Sequence, residues 1–207
     1  RGSEGRRARR GQRGRAGALG CRGPGPGSVC WGWRVPHPGV TSEILVFCVG
    51  TSIVPECTSV AGNTIDFGDC SPVATRSGTS VMQAQTNAAN GYTVSVNGTT
   101  LASGVNTIPA LAAQAASTIG TSQFGLNLRS NATPTVGADP RGAGSGTFTG
   151  SYGTADQYRF GTGESVASAG LPTNANTFTS SYIVNIGGAQ AAGVYTATMT
   201  YICTASF

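Results

Sequence analysis

The sequence predicts an all-β domain behind an irregular N-terminal segment, and three observations carry that expectation. Apolar residues recur with a period of two, most clearly in VYTATMTYICTASF at the C-terminus. There Tyr195, Ala197, Met199, Tyr201, Cys203, Ala205 and Phe207 share one face, and Thr196, Thr198, Thr200, Ile202 and Thr204 share the other. Clusters of Gly, Asn, Pro and Ser separate these runs, as turns separate strands. Only 10% of the 207 residues are charged, against roughly 25% in an average soluble domain. Thr, Ser, Ala and 32 Gly fill the space, and all 13 basic residues are Arg.

Residues 1–42 hold no hydrophobic period. Their Arg, Gly and Pro cannot bury enough apolar surface to offset chain entropy, so the expectation is irregular structure. The segment reads either as a functional basic arm or as sequence that is not the native N-terminus. Residues 43–54 (EILVFCVGTSIV) are almost continuously apolar, long enough for a buried strand and too short to span a bilayer. From there to residue 207 one domain is expected, taken as 53–207. NTIDFG puts Ile65 and Phe67 on one face, and TSVMQAQT gives a weaker run over 79–86. GYTVSVNGTT sends Tyr92, Val94 and Val96 inward and then predicts a hairpin turn at Asn97-Gly98. IPALAAQAAS at 108–117 is Ala-rich and predicts a helical turn or two. FGLNLRS alternates Phe124, Leu126 and Leu128; residues 134–147 read as a long surface loop; DQYRFG offers Tyr158 and Phe160. TFTSSYIVNIGG aligns Phe178, Ser180, Tyr182, Val184 and Ile186. Short strands between such turns describe a β-sandwich or barrel.

Charge is divided unevenly. Residues 1–50 carry nine Arg against Glu4 and Glu43, or +7, and residues 51–207 carry four Arg against six acids, or −2. The body therefore offers nothing that calls for a phosphate-rich partner. An Arg-rich arm before a β domain is also the layout of a viral-type coat protein that packages nucleic acid, a reading that requires residues 1–40 to be native.

The six Cys show no CxxC spacing and the chain has one His, which is not a zinc pattern. An even Cys count in a Thr-rich β protein favours an oxidising compartment and disulfides, with buried free thiols as the alternative. Cys57 and Cys70, both in polar sequence near strand ends, are the expected pair. Cys203, on the inward face of the last strand, reads equally as a core thiol or as a partner for either.

Along CTSVAGNTIDFGDCSP, TSVMQAQTNAANGYTVSVNG and AAGVYTATMTYICTASF the chain resembles the spore-coat-U and archaic chaperone–usher pilin group of secreted bacterial surface proteins. The matching residues are Cys57, Phe67-Gly68, Tyr92-Thr93-Val94 and Ala192-Gly193-Val194-Tyr195-Thr196. The group usually places its second Cys just before the Y-T-V run, where this chain has Thr86-Asn87. The resemblance implies an immunoglobulin-like antiparallel sandwich in an extracellular structural subunit of a fibre or surface layer, assembled by β-strand addition. It implies copies of itself and an assembly chaperone as partners, and a glycan or host-surface ligand. Tyr195, Met199, Tyr201 and Phe207 would form the C-terminal assembly strand. The donor strand would come from 43–54, with Ile44, Val46 and Cys48 on one face; the same segment reads equally as the first strand of its own sandwich.

Catalytic patterns are not evident. His37, the single His, lies between Pro36 and Pro38, so a Ser–His–Asp or Cys–His relay lacks a base. Asp66 faces outward and Asp69 falls in a turn, which does not resemble the paired carboxylates of a glycosidase. GAGSG at 142–146 lacks the strand-to-helix setting of a phosphate cradle. Asn97-Gly-Thr and Asn131-Ala-Thr match the glycosylation sequon. Tyr92, Tyr158, Tyr182 and Tyr201 read as core residues by their alternation; a carbohydrate-binding module would instead expose them on one face. The expectation is a non-enzymatic protein with no cofactor and no metal.

Overall fold

The computed structural model describes residues 42–207; the readings made on residues 1–41, including the Arg-rich segment and His37, lie outside the described residues. In chain order the strands are β1 (Leu45–Gly50), β2 (Ser52–Val54), β3 (Ser59–Ala61), β4 (Arg76–Thr86), β5 (Tyr92–Gly98), β6 (Ala102–Ser103), β7 (Asn106–Thr107), β8 (Gln123–Asn127), β9 (Asn131–Ala132), β10 (Thr135–Val136), β11 (Arg141–Gly142), β12 (Thr147–Phe148), β13 (Glu164–Ala169), β14 (Thr173–Asn185) and β15 (Met199–Ala205). Six of them form the two-stranded ribbons β2-β3, β6-β7 and β9-β10, and the other nine build two packed antiparallel sheets. One has the order β1-β4-β14, and the far edge of β14 is shared between β11 and β8. The other has the order β12-β13-β5-β15. The all-β expectation holds, and no described helix is long and apolar enough to cross a membrane.

The long strands alternate between layers. β4 lies in the first sheet, β5 in the second, β8 in the first, β13 in the second, β14 in the first and β15 in the second. Neighbouring long strands therefore meet face to face across the core instead of pairing through a local hairpin. Met82, Ala84, Phe124, Leu126, Phe178, Tyr182 and Val184 point in from the first sheet. Tyr92, Val94, Val96, Val166, Ala169 and Tyr201 point in from the second. Full burial of each large apolar side chain is worth about 1.5–3 kcal/mol. A bulge between Ser165 and Ala167 shifts the β13 register and lets both Val166 and Ala167 face inward.

Hydroxyls join the layers at the centre of this core. Ser80 Oγ lies 3.0 Å from Tyr182 OH, Tyr182 OH lies 2.5 Å from Tyr201 OH, and Tyr201 OH donates to Ser180 Oγ at 3.1 Å. The chain links β4 and β14 to β15 and satisfies both phenols inside the apolar interior. Burial pushes the pKa of Tyr201 well above the ordinary tyrosine value, so both phenols stay neutral. A second polar knot holds the connection after β8. Asn127 and Asn131 exchange side-chain bonds at 2.7 and 2.9 Å and tie down the carbonyls of Arg129, Val136 and Gln157. Asn131 is thereby buried, and its sequon is closed to modification in the folded domain.

Several local expectations are corrected. Residues 108–117 form no helix. Leu111 N donates to Phe124 O, and Ala115 and Tyr158 exchange a pair of backbone bonds. Those distant partners outweigh the few tenths of a kcal/mol per residue that Ala contributes to a helix. Asn97-Gly98 does not turn; both residues extend β5 against Thr200 and Met199. Gly98 has φ of 155°, and a Cβ there would fall 2.3 Å from Thr198 O, so the glycine serves the close approach of β15. The hairpin comes later, where Gly104 (φ 59°) and Val105 join β6 to β7. Ile65 and Phe67 pack on the core from a segment outside both sheets, and Tyr158 and Arg159 make only isolated bridges. The 134–147 loop contains β10, β11 and the start of β12.

Tyr201→Phe removes the central donor and leaves Ser180 and Tyr182 short of a partner. Chemical denaturation is expected to show a loss of about 1–3 kcal/mol, and the double variant Tyr182→Phe/Tyr201→Phe to lose less than the sum of the two single changes.

Candidate functional site

The feature with the clearest capacity for a partner is the side of the domain where both sheets end. β1 is the edge of one sheet and β15 the edge of the other. The backbone of Ile44 bonds to Asn87, so by antiparallel alternation Val46, Cys48 and Gly50 also bond toward β4. The amides and carbonyls of Leu45, Phe47 and Val49 consequently face outward. On β15, Ser206 exchanges bonds with Asn90 and Gly91, so Thr204, Ile202 and Thr200 bond toward β5. The backbone groups of Met199, Tyr201, Cys203 and Ala205 therefore face the free edge.

On both edges the residues with outward backbone groups are the ones whose side chains point between the sheets. The result is an apolar seam with unpaired backbone groups along both lips. Leu45 and Val49 are 36% and 37% exposed, and Phe47, Met199, Cys203 and Ala205 are half-buried beside them. An extended segment entering here meets backbone partners for its amides and an apolar slot for alternate side chains.

The sequence-predicted site residues divide on this geometry. Segment 43–54 is paired in cis: β1 runs antiparallel to β4 from Leu45 opposite Thr86 to Gly50 opposite Val81. The predicted donor face is reversed. Ile44 lies before the strand, Val46 and Cys48 share the outer face with Gln83 and Gln85, and Phe47 is the residue that packs on the core. A continuous apolar run such as 43–54 carries no period, so its sequence does not set which face turns inward. Tyr195, Met199 and Tyr201 do point inward, and Phe207 at the end of the chain is exposed.

The expected Cys57–Cys70 pair is also corrected. Cys57 is bonded to Cys48, and among the described residues Cys70 and Cys203 have no disulfide partner. The chain reverses sharply after β2, with Glu56 at φ 61° and Cys57 at φ 57°, and this brings Cys57 over β1. Two consecutive non-glycine residues in that region cost on the order of 1–2 kcal/mol each, and they are held by the cross-link and by Cys57 N donating to Gln83 Oε1 at 3.0 Å. Gln83 Nε2 continues the tie to Thr177 Oγ1 on β14. Burial pushes the Cys203 thiol up to about 11 and raises that of Cys70.

Sequence reading missed the clamp at the start of β1. Ile44 N donates to Asn87 Oδ1 and Asn87 Nδ2 donates to Ser42 O, both at 2.7 Å, while Thr86 Oγ1 donates to Ile44 O at 2.8 Å. The remaining candidates are local structure. Asp66 Oδ1 accepts from Gly68 N, and the Asp69 carbonyl accepts from Arg76 Nε. Residues 142–146 are held by Asn176, which accepts from Gly146 N and donates to Gly144 O. Tyr92 and Tyr158 are wholly buried, hydroxyls included, so they form no sugar-stacking platform. Among the described residues no group of His, Cys, Asp or Glu is placed to hold a metal ion.

Peptide mapping without reduction is expected to find Cys48 joined to Cys57. Iodoacetamide near pH 8 should label Cys203 slowly, because about one thiol in a thousand is ionised there, and labelling should quicken steeply as pH rises toward 11. Replacing Cys48 and Cys57 together by Ser is expected to cost about 2–3 kcal/mol in urea titration. Compared with known family models, curated proteins and solved structures, the chain matches none, so its resemblance to the spore-coat-U and archaic pilin group rests on the quoted residues alone.

Proposed function

We propose that residues 42–207 are an extracellular, non-catalytic structural domain of immunoglobulin-like type, a subunit of a fibre or surface layer whose copies associate by β-strand addition at the β1/β15 seam. The observation that carries this reading is the coincidence of unpaired backbone and inward apolar side chains on Leu45, Phe47 and Val49 and on Met199, Cys203 and Ala205. Native proteins ordinarily blunt such an edge with charge, proline or a covering loop, and neither β1 nor β15 contains a charged residue or a proline. The Cys48–Cys57 bond supports an oxidising compartment. The partner in this reading is an extended apolar segment of another copy. Because β1 already fills the edge of β4 within its own chain, exchange of β1 itself is not required.

The seam is tested by Leu45→Lys combined with Val49→Lys. Both side chains are more than one-third exposed, so the charge is tolerated by the fold while an entering strand meets two cations. Negative-stain microscopy of secreted full-length chain is expected to show assemblies for the parent and none for the variant, with thermal midpoints within a few degrees. Equal assembly by a folded variant overturns the reading.

A further inference from the structure

β1 covers only part of the edge of β4. Their ladder stops at Gly50 opposite Val81, while β4 extends back to Arg76. By the alternation that turns Gln85, Gln83 and Val81 toward β1, the amides and carbonyls of Thr79 and Ser77 face the same open side. Among the described residues they find no main-chain partner. This stretch is half-buried all the same, and the chain's own segment 63–69 stands against it. Gly78, between Ser77 and Thr79, is opposite the inward-facing Tyr182 of β14. A Cβ on Gly78 would lie 2.5 Å from Ile65 Cγ2 and 3.4 Å from Phe67 Cε1, so the glycine leaves a seat that these two side chains fill.

The segment fills the gap beside β4 without pairing there. Among the described residues, no backbone group of 63–69 bonds to another backbone group. Gly68 N turns back to Asp66 Oδ1 at 2.8 Å, and the hydrogen bond to β4 is that of the Asp69 carbonyl, which accepts from Arg76 Nε at 2.7 Å. Ile65 and Phe67 pack on the core, whereas Asn63, Thr64 and Asp66 are exposed. The other occupants of this sheet's edges, β1, β8 and β11, are all fastened by backbone ladders. Segment 63–69 is held mainly by two side chains and leaves without breaking a ladder. An extended chain in its place would supply the partners that Thr79 and Ser77 lack and put its own apolar side chains into the seat at Gly78.

We infer that residues 63–69 are a removable plug over a latent edge of β4, and that an extended segment of a second copy expels Ile65 and Phe67 and pairs with Thr79 and Ser77 in line with β1. The inference rests on the strand-addition reading for its occupant and adds a gated landing edge beyond the end of β1. The population with the plug out sets the rate of capture, because only an open edge takes a strand.

The test compares full-length chain with the variant Ile65→Ala/Phe67→Ala by light scattering and by amide hydrogen exchange on peptic fragments. In dilute parent the Ser77 and Thr79 amides are expected to exchange fast, and in assembled parent slowly. The variant is expected to stay folded, with a thermal midpoint lowered by no more than about ten degrees, and to assemble about tenfold faster. Slow exchange at Ser77 and Thr79 before assembly, or fast exchange there after it, overturns the inference. So does a variant that assembles no faster than the parent, or one that loses its fold, since a plug can leave and a core cannot. Protection gained at Leu45, Phe47 and Val49 alone overturns the plug and leaves the seam reading standing. If neither chain assembles, both fail together.

Discussion

Everything in this domain depends on the contact between its two sheets. Because successive long strands lie in opposite layers, no single sheet can form from neighbouring chain and then wait for the other. β4 needs β14, and β5 needs both β13 and β15, all far along the sequence. The favourable free energy comes from apolar side chains meeting across the interior, and the backbone ladders are completed by the same event. Topologies dominated by such distant pairings close slowly, since loop entropy is spent before contacts repay it. The Ser80–Tyr182–Tyr201–Ser180 hydroxyl chain adds direction to this contact, because it is satisfied in one alignment of the layers only.

Much of this was legible from period two. The inward face of β15 matches the sequence alternation from Met199 to Ala205, with Tyr195 and Ala197 before it in the same phase, and β5 follows its own closely, while β14 is buried on both faces from Phe178 to Asn185. The inward tyrosines were placed in the core by the same rule. Failures occurred where distant partners override local preference. Residues 108–117 have helical composition and extended backbone because Phe124, Tyr158 and Phe160 supply their hydrogen bonds. Asn97-Gly98 carries a strong hairpin signal, yet its glycine answers to β15 passing close by.

The seam was half legible. The assembly strand was readable from alternation, whereas the face of β1 was not, since a run with apolar residues at every position gives no phase. The disulfide could not be found by spacing along the chain, because it follows from the left-handed reversal at Glu56 and Cys57, which neither residue advertises.

The Cys48–Cys57 bond has a mechanical consequence. Tension entering from residue 42 must first undo the Asn87 and Thr86 clamp and then peel β1 from β4 one pair of bonds at a time. At Cys48 the load crosses the sulfur bridge to Cys57 and bypasses the stretch between them, which stays slack however hard the chain is pulled. A span of about 30 Å of potential extension, at roughly 3.3–3.6 Å per residue, is thereby locked away from the line of force with β2 inside it, and β3 beyond it receives strain through a covalent joint.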